Sequence, residues 1–165
     1  MEASGAEQAE RRPFLDFGRL QKAELVGFVA ALILLASLLL LPWFSTSGNG
    51  SIAGTSWPTG AKAFEAYTWQ FWLLVAACTA PFILAYIIAR GHDLSWRPGE
   101  VTAIVGLTAF VLILCFGVVF GKPGQPPSEI SYEIGYFVGL LGAAGIAASG
   151  FVRQLQGTTK KPPGV

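Results

Sequence analysis

Apolar and polar positions are not finely interleaved along this chain; they separate into four long apolar runs joined by polar connections. The first run, Leu25 to Phe44, reads LVGFVAALILLASLLLLPWF and carries no charge. At about 1.5 Å per residue a helix of that length reaches roughly 30 Å, the thickness of a bilayer's hydrocarbon core. The second run, between Glu65 and Arg90, is charge-free for twenty-four residues; the third is Val101 to Gly121 and the fourth Ile134 to Val152. The pattern predicts an all-α, integral membrane four-helix bundle with spans at about 25–44, 67–89, 101–121 and 134–152. Residues 1–24 and 153–165 are left as tails.

Two export signals compete for the first run. A cleaved signal peptide would use Ser45-Thr46-Ser47, but its apolar region spans only about 7 to 15 residues, and this run ends in Pro42-Trp43-Phe44, which reads as an interfacial anchor. Arg11-Arg12-Pro13-Phe14-Leu15 imitates a twin-arginine signal, yet Asp16, Arg19, Lys22 and Glu24 separate it from the apolar run. The run is therefore a retained helix. Ahead of it, Phe14, Leu15, Phe17 and Leu20 alternate with Arg11, Arg12, Arg19 and Lys22, which suits either a segment lying on the membrane surface or a plain basic flank. Pro81 falls inside the second span, where its freed carbonyl partner is expected to be satisfied by Thr79 or a neighbouring helix.

The connections set orientation and one interface. Lys and Arg number nine across the N-terminal segment, the 90–100 loop and the C-terminal tail, against Lys62 and Lys122 in the other two loops. Such a bias places both termini in the cytoplasm, with a long first loop and a Pro/Gly-rich second loop outside. The first loop, rich in Gly, Ser and Thr, reads as turns rather than a packed unit. Trp43, Phe44, Trp57, Phe64, Tyr67, Trp69 and Trp72, with Phe71, cluster around it and predict an interfacial aromatic belt. Ser128, behind Pro126-Pro127, is the expected N-cap of the fourth helix, with Glu129 and Glu133 in its first turn. A 76-residue offset relates Glu24 to Glu100, Phe44 to Phe120 and Gly48 to Gly124, a thin sign of a repeated helical hairpin.

Composition narrows the chemistry. Hydrophobic residues make up 53% and charged residues 13%, so water is not the main solvent, and a net charge of +1 without a basic stripe argues against nucleic acid. Cys78 and Cys115 sit in different apolar runs with no ligand spacing, and neither a disulfide nor a metal is expected. No Asp, Glu, Lys, Arg or His falls inside the four spans, which argues against a proton relay or a charge-lined pore in one copy. His92-Asp93 reads as a solvated turn, and neither a nucleotide motif nor an acid/base pair is apparent, so neither catalysis nor a cofactor is expected.

The fourth span carries the clearest pattern. Gly135, Gly139, Gly142, Ala143, Ile146, Ala147 and Gly150 recur at three- and four-residue spacing and share one face. Small residues let another helix approach closely. That helix belongs either to the same bundle, the favoured reading, or to another subunit. Gly117 and Gly121 repeat the spacing once in the third span.

The step Leu39-Leu40-Leu41-Pro42-Trp43-Phe44, followed by a Gly/Ser-rich loop and an aromatic start to the second helix, resembles uncharacterised small four-helix membrane proteins of actinobacteria and related bacteria. The resemblance implies a bacterial cytoplasmic membrane and no particular activity. Claudin-like proteins share the layout, but the outer loop here lacks their cysteine pair. Two roles fit: a non-catalytic accessory or assembly subunit of a larger membrane complex, or a homo-oligomeric transport or lipid-handling protein. The expected partners are the lipid bilayer and a membrane protein or a further copy of the chain.

Overall fold

The computed structural model describes residues 22–89 and 99–158. The surface-lying segment expected before Lys22, the His92-Asp93 turn and the tail beyond residue 158 lie outside the described residues. The chain runs α1 (Lys22–Leu40), β1 (Pro42–Thr46), β2 (Ala61–Lys62), a one-turn α2 (Ala63–Ala66), α3 (Trp69–Ala89), α4 (Glu100–Leu114) with a π-helical turn (Cys115–Val119), a 3₁₀ turn (Pro127–Glu129), β3 (Ile130–Tyr132) and α5 (Ile134–Thr158). Among the described residues four helices are long and apolar enough to cross a membrane: Lys22–Leu40, Trp69–Ile87, Glu100–Val119 and Ile134–Gln156.

Small residues decide how the four pack. On α1 the buried positions Ala23, Glu24, Gly27, Ala30, Ala31, Leu34, Ser37 and Leu38 follow helical spacing, while Leu25, Val26, Val29, Leu32 and Ile33 remain exposed. A helix that is apolar on its outer face too has a lipid-like surface rather than a water-facing one. α5 lies between α1 and α4, and α3 closes the ring from the far side with looser contacts. A Cβ added at Gly142 would stand 2.9 Å from the Leu34 backbone nitrogen, and one at Gly145 would stand 2.8 Å from Ala30 Cβ. On the opposite flank Gly106 of α4 sits directly against the Ala147 backbone, and Gly150 against Ala103. Backbones come this close only where the side chain is a hydrogen.

The fold is mostly helical, but it is not all-α. Pro42 drives the residue before it out of helical geometry, so α1 ends at Leu40 and the expected span end, Pro42-Trp43-Phe44, becomes strand. β1 is the centre of a three-stranded antiparallel sheet in the order β2-β1-β3, with Phe44 opposite Tyr132, Ser45 opposite Ser131 and Thr46 opposite Ile130. The first loop is likewise a packed unit rather than a run of turns. Ile52 is fully buried, Ser51 and Gln125 exchange backbone hydrogen bonds of 3.0 and 2.9 Å, and Trp57 is tied to Thr46.

Other expectations need correction. Ser128 does not cap the fourth helix: it lies in the 3₁₀ turn, and β3 intervenes because Ile130 to Tyr132 pair with β1. The 76-residue offset links unlike environments, since Glu24 and Phe44 are buried whereas Glu100 and Phe120 are exposed. α3 runs unbroken through Pro81, and the Thr79 hydroxyl donates to the Ala76 carbonyl rather than to Ala77, the carbonyl that Pro81 frees.

Candidate functional site: the aromatic cap

The sheet end of the bundle is built on rings. Trp43 and Phe44, both 0% exposed, are the largest fully buried side chains. Trp43 meets Tyr67 and Tyr136 edge-on at 6.0 and 5.9 Å between centroids, and Phe44 lies 5.8 Å from each of Tyr67, Tyr132 and Tyr136. Such geometries place positive ring edges against negative faces. The Trp43 indole N–H donates to the Ser37 carbonyl at 2.9 Å and reaches Ser37 Oγ at 3.1 Å, and Ser37 Oγ donates to the Gly135 carbonyl at 2.6 Å. One hydroxyl, the lone polar side chain from Leu25 to Leu40, thus joins the end of α1 to the start of α5.

The three tyrosines share a task set by the π-turn. A π-turn shifts the backbone ladder to i→i+5, as in Phe120 N–H donating to Cys115 C=O at 2.8 Å, and leaves nearby carbonyls open. Tyr136 donates to the Ile113 carbonyl at 3.2 Å, Tyr67 to Phe116 at 3.2 Å and Tyr132 to Gly117 at 2.7 Å. Gly117 has to be glycine because a Cβ there would enter the Tyr136 ring. Burial, then the neighbouring Tyr136 and Tyr132, push the phenol of Tyr67, which precedes α3, well above its usual range. Donating to these carbonyls, the three hydroxyls act as clamps on α4 and its π-helical turn.

Lys62 and Lys122 are engaged here as well. Lys122 Nζ donates to the Ile130 carbonyl at 2.5 Å and lies 5.0 Å from the Tyr132 ring centroid; Lys62 Nζ lies 5.9 Å from the Phe64 ring. At the opposite end of the bundle Glu24 and Arg153 form an ion pair with side chains only 6% and 12% exposed. A cavity of about 20 Å³, the size of one water, opens beside them, lined by Gly27, Pro81, Thr102 and Ser149 among others.

The expected site residues divide accordingly. Gly135, Gly139, Gly142, Ala143, Ala147 and Gly150 all lie in α5, and this face is occupied by the chain's own neighbours: Gly135 and Gly139 by Trp43, Gly142 by Leu34, Ala147 by Gly106 and Gly150 by Ala103. Ala143 and Ile146 are fully buried. The face is therefore filled inside the bundle and is not left open to another subunit. Of the expected belt, Trp43, Phe44 and Tyr67 are core, and Trp57 is half-buried with its indole N–H 3.4 Å from the Ile52 carbonyl. Phe64, Trp69 and Trp72 are exposed, Trp72 at 69%. With Phe120, 74% exposed, they form two ring clusters at the surface of the cap, Trp69–Phe116–Phe120 and Phe64–Phe71–Trp72. Cys78 and Cys115 are free thiols, and among the described residues no three His, Cys, Asp or Glu side chains gather.

Sequence reasoning missed Tyr132, Tyr136 and Phe116, and gave Gly117 and Ser37 no part in this cap. Tyr132 and Tyr136 stand one helical turn apart and Ser37 is the lone hydroxyl of the first run, but neither signal names its partner. The Glu24–Arg153 pair was hidden because each charge sits at the edge of its apolar run and reads as a flank. No family model matches the chain, and neither a curated protein nor a solved structure is significantly similar to it.

Proposed function

We propose that this protein is a small multi-pass protein of a bacterial cytoplasmic membrane, with both termini in the cytoplasm, that serves as a non-catalytic accessory or assembly subunit of a larger membrane complex. The observation that carries this reading is a bundle closed on itself at both ends and apolar on the outside. α5 packs against both α1 and α4, the aromatic cap shuts one end, and the buried charges Glu24 and Arg153 neutralise each other at the other. The outer surface of the described residues offers a place for recognition, and its most distinctive part is the exposed rings Phe64, Trp69, Trp72 and Phe120. Aromatic residues of this kind suit a contact at headgroup level, where a partner's flat apolar surface and polar edge meet.

Native mass spectrometry of the protein released gently from its own membrane tests the proposal. The expected result is a reproducible heteromeric assembly that Trp69→Ala combined with Phe120→Ala dissolves while the bundle stays folded. A second reading, a homo-oligomeric transport or lipid-handling protein, is favoured by two apolar grooves on the outer surface, between α1 and α5 and between α3 and α4. A discrete homo-oligomer without a second component would transfer the weight to it.

A further inference from the structure

The groove between α1 and α5 runs towards the helix end that carries an exposed lysine. It encloses about 440 Å³ and is lined only by Leu25, Val26, Val29, Ala30 and Ile33 from α1 and by Val138, Leu141, Gly142 and Gly145 from α5. Gly142 and Gly145 form its floor, because glycine there draws the two backbones together and leaves a trough where side chains would stand. Val26, Val29 and Ile33 form one stripe at helical spacing, and continuing that stripe one turn towards the start of α1 reaches Lys22. Lys22 is exposed, at the helix end where the apolar run gives way to polar sequence. Glu24, by contrast, turns inward to Arg153, so its carboxylate is held away from the groove mouth.

We infer that this groove is a binding site for one acyl chain of an anionic phospholipid, whose phosphate is held by Lys22. The walls offer no hydrogen-bonding side chain, so an apolar chain is the ligand that loses nothing on entering. The ammonium at the mouth selects among lipids by headgroup charge. A headgroup lies at the level where an apolar span ends, which is where Lys22 stands. Anionic lipid should therefore be held about fivefold better than a zwitterionic lipid with the same chains, the effect of one favourable lysine at the membrane surface. The inference rests on the helices lying in a bilayer and on neither of the roles proposed above.

Purified full-length protein in a non-ionic detergent, incubated with dioleoyl-phosphatidylglycerol or dioleoyl-phosphatidylcholine and measured by native mass spectrometry, provides the test. The wild type should retain one phosphatidylglycerol in preference to phosphatidylcholine. Lys22→Gln should lower phosphatidylglycerol more than phosphatidylcholine, whose phosphate is already balanced by its own choline cation, and so bring the two to one level. Val29→Trp, which fills the trough from an exposed position, should lower both lipids; Leu141→Trp, from the opposite wall, does the same should the first variant fold poorly. Equal retention of the two lipids by the wild type would overturn the inference. So would a preference that survives Lys22→Gln, since the other basic residues would then be its source. A dimer of the chain that Val29→Trp abolishes would assign the groove to a second copy instead.

Discussion

Gly142→Ala isolates the contact on which the bundle closes. The new methyl would lie 2.9 Å from both the backbone nitrogen and Cβ of Leu34 and 3.0 Å from its Cα, whereas ordinary contact begins at 3.4 Å. Backbone cannot rotate aside, so α1 and α5 must part by about half an ångström, and a gap of about that size forfeits roughly a quarter of each dispersion contact along the seam. Overpacking of this kind costs about 1–3 kcal/mol. The usual gain from replacing a mid-helix glycine, at most about 1 kcal/mol, largely cancels, because a span in lipid keeps its helix when the bundle comes apart. A net loss of about 1–2 kcal/mol follows, while Leu141→Ala, at the preceding residue and 72% exposed, should be near neutral. Reversible unfolding in mixed micelles by titration with a denaturing detergent reads both. A Gly142→Ala variant as stable as the wild type would refute the close packing of α5 on α1.

Three further outcomes follow from the two ends of the bundle. Glu24→Leu or Arg153→Met should each cost about 3 kcal/mol or more by stranding a buried charge, and the double variant should cost less than either, in the same titration. Trp43→Phe should cost about 2 kcal/mol through the lost indole bond and volume, and Ser37→Ala about 1 kcal/mol by leaving the Gly135 carbonyl without its donor. Tyr67 stays protonated in the fold at a pH where the unfolded chain, with a phenol near about 10, loses its proton. Above that pH the native state binds the extra proton, so its stability falls as pH rises. Tyr67→Phe should flatten the fall, and an equally steep loss in that variant would assign the effect to another group.

The spans were legible because absence of charge over nineteen or more residues is a coarse signal that survives any detail of packing. The small-residue face of the fourth span was legible for a related reason: spacing alone puts Gly135, Gly139, Gly142, Ala143, Ala147 and Gly150 on one side. Which helix would cover it was not, since that depends on the order of the ring. The cap was the larger surprise. β1 is only five residues, PWFST, at the end of an apolar run, where Leu-Pro-Trp-Phe reads as an anchor. Its main partner, Ile130 to Tyr132, lies two spans away in sequence, and no local pattern announces a pairing that distant. The exchange of Trp43 and Phe44 from belt to core follows from that one pairing.

The central claim, that the small-residue face of α5 closes on α1 of the same chain, has a direct test. A Cβ placed at Gly27 would lie 3.4 Å from Ser149 Cβ, close to the separation of a disulfide. In a background with Cys78→Ala and Cys115→Ala, the pair Gly27→Cys and Ser149→Cys should oxidise in the native membrane to a cross-linked monomer, identified by the linked peptides after digestion. A disulfide-linked dimer as the product, with the monomer left reduced, would place another subunit against this face and contradict the account.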